Sequence, residues 1–189
     1  RLAGDTPHQG VAAVGAVERY ADPEQVFGSA RLLVVLDGVE DPHNLGAIVR
    51  TVHAAGADAV VIGRRRAAGL SEAAAKAAAG ALAWVPVVRV VNISQALEEL
   101  KERRYWIYGL DERGPEAYDR VELREPAAVV LGGEGKGLHQ HVKKRCDFLV
   151  RIPLAGRIGS LNVSVAAGVM LFEWRRRRTL AGAGALAEG

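Results

Sequence analysis

Short aliphatic runs, spaced by stretches of helical periodicity, constrain this chain more than any other feature. They fall at residues 32–36 (LLVVL), 59–62, 85–91, 106–108, 128–131 and 148–152, all but 85–91 bounded on at least one side by Gly, Asp or Pro. A strand with one wet face alternates apolar and polar residues. These runs do not alternate, so they predict strands buried on both faces. Between them, residues 45–55 carry apolar side chains at Leu45, Ile48, Val49 and Val52, and helical patterns recur over 71–82, 94–103 and 163–178. That alternation predicts an α/β fold, a mostly parallel sheet flanked by helices. Upstream, 11–17 reads as a β-like first strand, and Asp22 with Pro23 as the N-cap and first position of a helix.

The chain's 189 residues suit one such domain, and 49% hydrophobic with 25% charged residues excludes a disordered or collagen-like polymer. Residues 1–20 read as a linker and first strand that follow an absent N-terminal segment, 21–178 as one folded domain, and the Ala/Gly-rich 179–189 as a flexible tail. The single cysteine, Cys146, cannot form an internal disulfide, which predicts a reducing, cytoplasmic setting. No run of eighteen apolar residues occurs, so no membrane role is expected. The formal charge is only +3, yet basic residues bunch at 64–66, 143–145 and 175–178. Clustered Lys and Arg reward contact with phosphates, so the predicted partner is a nucleic acid. With 5% aromatic residues, shape and backbone contacts are expected over stacking on a sheet face.

Three stretches carry candidate chemistry. Gly132-Gly-Glu134-Gly-Lys136-Gly follows a predicted strand, where open α/β sheets present ligands. It is not a phosphate-binding P-loop, since Val130 and Gly137 stand where that motif needs Gly and Ser or Thr, and its glycine spacing fails the dinucleotide fingerprint. Glu134, flanked by glycines, is the candidate functional group; a structural tight turn is the alternative. Asp37 to Asn44 leaves strand LLVVL and enters a helix carrying Arg50. Asn44 suits an N-cap, and Arg50, six residues or about one and two-thirds turns on, points to a different side of the helix. The third stretch, Ile152-Pro-Leu154-Ala-Gly-Arg-Ile-Gly-Ser160-Leu161-Asn162, ends before a long apolar helix, and an N-cap is the structural alternative to a functional role for Ser160. No nucleophile elbow surrounds Ser160, and neither His43 nor His53 has ligand partners at metal spacing, so no hydrolase and no metal site are expected.

Taken together, the three stretches resemble the SpoU (TrmH) branch of the SPOUT superfamily of RNA 2′-O-ribose methyltransferases. The resemblance runs from about His8 to Arg178 through Asp41-Pro-His-Asn44-Leu-Gly-Ala-Ile-Val-Arg50, then Leu131-Gly-Gly-Glu134-Gly-Lys-Gly-Leu138, then the stretch from Ile152 to Asn162. The wording of the first motif and His8-Gln9-Gly10 is most similar to the 23S rRNA guanosine-2′-O-methyltransferase subgroup. Leu154 stands where many members have Met, and Gly159 where Ser is common.

The resemblance implies a C-terminal deep trefoil knot, a homodimer formed through the knot region, and S-adenosylmethionine as cofactor. It assigns cofactor contacts to Gly109, Leu110, Leu131, Gly132, Ile152, Leu154, Ser160 and Leu161. Arg50 would engage the ribose 2′-hydroxyl and adjacent phosphate, Asn44 would orient Arg50 or the ribose, and Glu134, Ser160 and Asn162 would shape the site. The implied substrate is a guanosine of 23S rRNA, with DNA not expected. The alternatives are a tRNA ribose methyltransferase, or a noncatalytic RNA-binding or assembly factor with the same fold.

Overall fold

The computed structural model describes residues 20–187, with side chains to residue 180; the expected strand at 11–17 lies outside the described residues. Seven strands, β1 (Leu32–Asp37), β2 (Ala59–Gly63), β3 (Val87–Val90), β4 (Trp106–Leu110), β5 (Glu116–Ala117), β6 (Ala127–Gly132) and β7 (Phe148–Arg151), form one sheet in the order β3-β2-β1-β6-β4-β7-β5. Every pairing is parallel. The helices are α1 (Pro23–Ser29), α2 (Pro42–Ala55), α3 (Glu72–Ala78), α4 (Ile93–Glu102), α5 (Gln140–Lys143) and α6 (Val163–Ala187).

The unbroken apolar runs are explained by two cores. Successive strand residues point to opposite faces. Leu32, Val34 and Leu36 of β1 join Val60, Ile62, Val129 and Leu131 beneath α2 and α6, where Met170, Leu171 and Trp174 pack. Leu33 and Val35 join Val61, Val88, Ile107 and Val130 beneath α1, α4 and α5, through Phe27, Leu97, Leu100 and Val142. Each buried side chain of this size contributes roughly 1.5–3 kcal/mol, so both cores hold the sheet from which the loops project.

Several boundaries differ from the expectations. Asn44 does not cap α2: Pro42 takes the first helical position, and the Asp41 side chain accepts from the His43 N–H at 2.9 Å. Ser160 does not cap α6 either. Asn162 does, its Oδ1 accepting from the Ser164 amide at 2.8 Å. The pattern over 71–82 breaks where Ala79 and Gly80 adopt positive φ (49° and 86°), leaving α3 and a 3-10 turn at Ala81–Ala83. The helix expected to end at Arg178 runs to Ala187, through most of the expected tail. Strand β5 is a two-residue edge with no apolar run to betray it. No described helix is long and apolar enough to cross a membrane.

Candidate active site

Three segments leaving the carboxyl ends of β4, β6 and β7 wall a cavity of about 700 Å³. These strands lie side by side in the sheet, and loops at this edge are where parallel sheets receive ligands. Leu110, Leu131, Val150, Ile152, Leu154 and Leu161 give the cavity apolar walls. Asp111, Glu112, Arg113, Lys136 and Lys143 give it charge of both signs.

The glycine-rich loop closes on itself. Gly133 donates to the Asp37 carbonyl at 2.8 Å, and Gly137 donates back to the Gly133 carbonyl at 3.0 Å. A Cβ at Gly132 would lie 2.1 Å from the Gly137 carbonyl carbon, so only glycine admits this turn. Gly137 itself has φ +61°. The carboxylate of Glu134 is thereby held at the mouth of the cavity rather than buried in it.

Hydrogen bonds then join all three motifs at Glu134. Asn44 Nδ2 donates to Glu134 Oε1 at 2.6 Å. Asn162 Nδ2 donates to Asn44 Oδ1 at 3.0 Å and to Glu134 Oε1 at 3.3 Å. Asn44, buried from solvent, thus links residues 90 and 118 positions away in sequence. Glu134 also lines a second cavity of about 600 Å³, bounded by Asp37, Asn44, Arg66, Lys136 and His139. It stands at the junction of the two.

Of the other residues singled out by sequence, Leu110, Leu131, Gly132, Ile152, Leu154, Ser160 and Leu161 line the first cavity. Gly109 does not; a Cβ there would meet Cys146 Sγ at 2.6 Å, so its glycine accommodates packing. Burial pushes that thiol up to about 12, aided by the charge of Asp147, which keeps Cys146 protonated and unreactive. Arg50 is exposed on α2, lines neither cavity, and makes no ion pair among the described residues.

Sequence reasoning missed two pairs. Asp111 pairs directly with Lys143 on the wall of the first cavity: burial raises its carboxyl, but the Lys143 ammonium and the Arg113 amide together hold it below the ordinary range. Asp37, 5% exposed, accepts from the His139 amide at 2.8 Å and meets the imidazole Nδ1 at 2.9 Å. The only sequence signals were Asp37 at a strand end and Lys143 in a basic run; their partners lie 102 and 32 positions away, beyond any local pattern.

The profile of the SpoU rRNA Methylase family matches residues 31–172. The chain belongs to that family. This SpoU-family chain is 44% identical over 181 residues to YacO of Bacillus subtilis (strain 168), named as a TrmH family tRNA/rRNA methyltransferase, across 93% of this chain and 73% of YacO. Its fold matches AviRb of Streptomyces viridochromogenes, a SpoU methyltransferase solved with the cofactor AdoMet. The TM-score is 0.74 at 29% identity, over 78% of this chain and 57% of AviRb. A solved RNA 2′-O ribose methyltransferase gives a TM-score of 0.72 at 29% identity, over 87% of this chain and 61% of the other. The seven-stranded parallel architecture is thus that of SpoU/TrmH RNA methyltransferases.

Proposed function

We propose that this protein transfers a methyl group from S-adenosylmethionine to a ribose 2′-hydroxyl of structured RNA. Ribosomal RNA is the proposed substrate, with a guanosine of 23S rRNA the target implied by the motif wording. The observation that carries the reading is the Asn44–Asn162–Glu134 cluster, set where two cavities meet. One cavity suits the cofactor and the other the nucleotide.

The first cavity fits S-adenosylmethionine chemically. Leu110, Leu131, Ile152 and Leu161 offer an apolar slot for an adenine ring, with loop backbone at its edge. Asp111 and Glu112 suit the ammonium, and Arg113 and Lys136 the carboxylate of the amino-acid end. Its volume of about 700 Å³ lies within the usual range for a ligand site. When bound, the cofactor supplies an electrophilic methyl group on a cationic sulfur. The loops building this pocket are those in which the resemblance expects a knot.

A ribose hydroxyl is a weak nucleophile at neutral pH, so its attack depends on alignment and on a hydrogen-bond acceptor for its proton. Asn44 and Asn162 both donate to Oε1 of Glu134, which fixes the carboxylate and leaves Oε2 without a hydrogen-bond donor among the described residues. Ser160 adds a hydroxyl on the wall of the cofactor cavity. Arg50 lines neither cavity of its own chain, so its role rests on the resemblance alone, which would have it meet the ribose and its adjacent phosphate as an aligning charge, since a guanidinium stays protonated.

Charge distribution supports RNA. Lys143, Arg145, Arg176, Arg177 and Arg178 are engaged by Asp111, Glu98, Glu173 and Glu125. Arg64, Arg65 and Arg66 are exposed without an ion pair among the described residues, and Arg66 lines the second cavity. That run is the proposed phosphate contact.

Calorimetry with S-adenosylmethionine tests the cofactor; about one equivalent per chain is expected from the single site. Labelled methyl transfer to ribosomal and transfer RNA, followed by alkaline hydrolysis, tests the rest. A 2′-O-methyl ribose resists alkali because it has lost its internal nucleophile. Label released on alkali-sensitive mononucleotides, marking a base, would overturn the ribose assignment; a folded chain that binds no cofactor would overturn the methyltransferase reading.

A further inference from the structure

Trp84 sits in water where tryptophan is seldom left. Of the three tryptophans, Trp174 is 1% exposed and Trp106 lies beneath the Arg124 guanidinium at 4.7 Å, whereas Trp84 is 75% exposed. It follows the 3-10 turn Ala81–Ala83, its amide donating to the Ala81 carbonyl at 3.0 Å, so its backbone is fixed while its ring is not covered. The ring is not isolated. It lies near-parallel to the imidazole of His53, with centroids 6.3 Å apart and planes inclined by 17°. His53 belongs to the last turn of α2.

The surroundings are cationic. Arg50 precedes His53 by three residues on α2, a spacing that puts side chains on neighbouring turns of one face. Arg175 reaches the same end of the helix, where its Nη1 would be 3.4 Å from a Cβ at Gly56. Neither guanidinium pairs with a carboxylate among the described residues. A flat π surface flanked by unneutralised guanidinium groups matches an unpaired nucleotide, which offers a π face and a phosphate together. A protein surface would supply the first without the dense negative charge.

We propose that His53 and Trp84 form a stacking platform for an unpaired base of the RNA, beside the phosphate that Arg50 holds. The proposal rests on the RNA reading above and extends it, away from both cavities, to a flanking nucleotide. It predicts that single-stranded or looped RNA binds better than a blunt duplex, because paired bases have no face to offer.

Intrinsic fluorescence tests it, since Trp84 is the exposed tryptophan, Trp174 being buried and Trp106 half-buried beneath Arg124. The probe is a single-stranded oligouridylate of about twelve nucleotides, within the usual site size for such grooves. Titration is expected to quench wild-type emission. Trp84→Ala should weaken binding about fivefold or more, the scale of one stacked base. Trp84→Phe should keep most of the affinity and lose the quench. Unquenched wild-type emission, a quench that survives in Trp84→Phe, or wild-type affinity in Trp84→Ala would overturn the platform. So would a Trp84 already shielded from iodide before RNA is added, as a second copy of the chain would shield it. Cofactor calorimetry and methyl transfer run beside the titration separate this from the functional reading. Transfer without a quench sinks only the platform; a Trp84-dependent quench without cofactor binding sinks only the methyltransferase.

Discussion

Arg50 and Gly132 should fail in different ways in the same pair of assays. Arg50 lines neither cavity, so Arg50→Ala should leave S-adenosylmethionine binding intact and lower methyl transfer by about a hundredfold or more, the scale of one lost charge-stabilising donor. Loss of cofactor binding in that variant would make Arg50 structural instead. Gly132 is the reverse case. A methyl group there would stand 2.1 Å from the Gly137 carbonyl carbon, so Gly132→Ala must open the loop that walls the cavity, and cofactor binding should be lost with it. Residue identities at this scale were legible: Asn44, Glu134 and Asn162 were named from motif wording, and the structure brings the three together. Their mutual hydrogen bonds were not, because separations of 28, 90 and 118 residues leave no local spacing to read. The capping alternatives for Asn44 and Ser160 fail for a simpler reason. Both are good capping types, but an earlier Asp41-Pro42 pair and a later Asn162 occupy the cap positions themselves.

Helix α2 carries Asn44, Arg50 and His53, so its seating governs site and proposed platform alike. Gly46 lets it approach α3 closely: a Cβ there would lie 2.3 Å from the Ala74 carbonyl oxygen and 2.6 Å from the Ala77 methyl. Intrinsic propensity favours Ala over Gly by about 0.8–1.0 kcal/mol in a helix. The contact is with backbone, which cannot swing aside, and overpacking of this kind costs about 1–3 kcal/mol. Gly46→Ala is therefore expected to lower the urea midpoint; an unchanged or higher midpoint would mean that α3 yields freely. Helix α6 offers a test by pH. The Arg176 hydrogen bond, opposed by burial and reinforced by Arg177, pushes the Glu173 carboxyl down to about 2 from an ordinary 4.5. A carboxylate depressed on folding stabilises while ionised, so its contribution is full above about pH 4.5 and disappears as pH falls toward 2. The difference in Tm between wild type and Glu173→Gln should be largest near neutrality and shrink across that window. A difference independent of pH would assign the effect to packing. Strands β1–β4, β6 and β7, being largely apolar runs, are legible to within two residues at each end, whereas β5 and the break after α3 depend on two edge residues and on the positive φ of Ala79 and Gly80.

Across the whole molecule, apolar surface is left over on one side. Val165 and Phe172, seven residues apart and so near the same angular position on α6, are 51% and 50% exposed, opposite the buried Val163, Ala167, Met170 and Trp174. Ile158 is 78% exposed in the preceding loop, and Leu154 and Leu161, 39% each, belong to that loop and to the cofactor cavity at once. A helix apolar on both faces is poorly suited to water on either, and an exposed apolar band of this kind marks an association surface. The resemblance implies a homodimer, so the occupant we propose for it is a second copy of the chain. Val165→Asp combined with Phe172→Glu should then sediment at half the wild-type mass with unchanged far-ultraviolet circular dichroism, because neither side chain belongs to the core. Since Leu154 and Leu161 join that surface to the cavity wall, the same variant should also bind S-adenosylmethionine more weakly, and wild-type cofactor affinity should fall on dilution below the dimer dissociation constant. A double variant that keeps the wild-type mass would move the interface elsewhere; one that becomes monomeric with undiminished cofactor affinity would show that each chain builds its pocket alone.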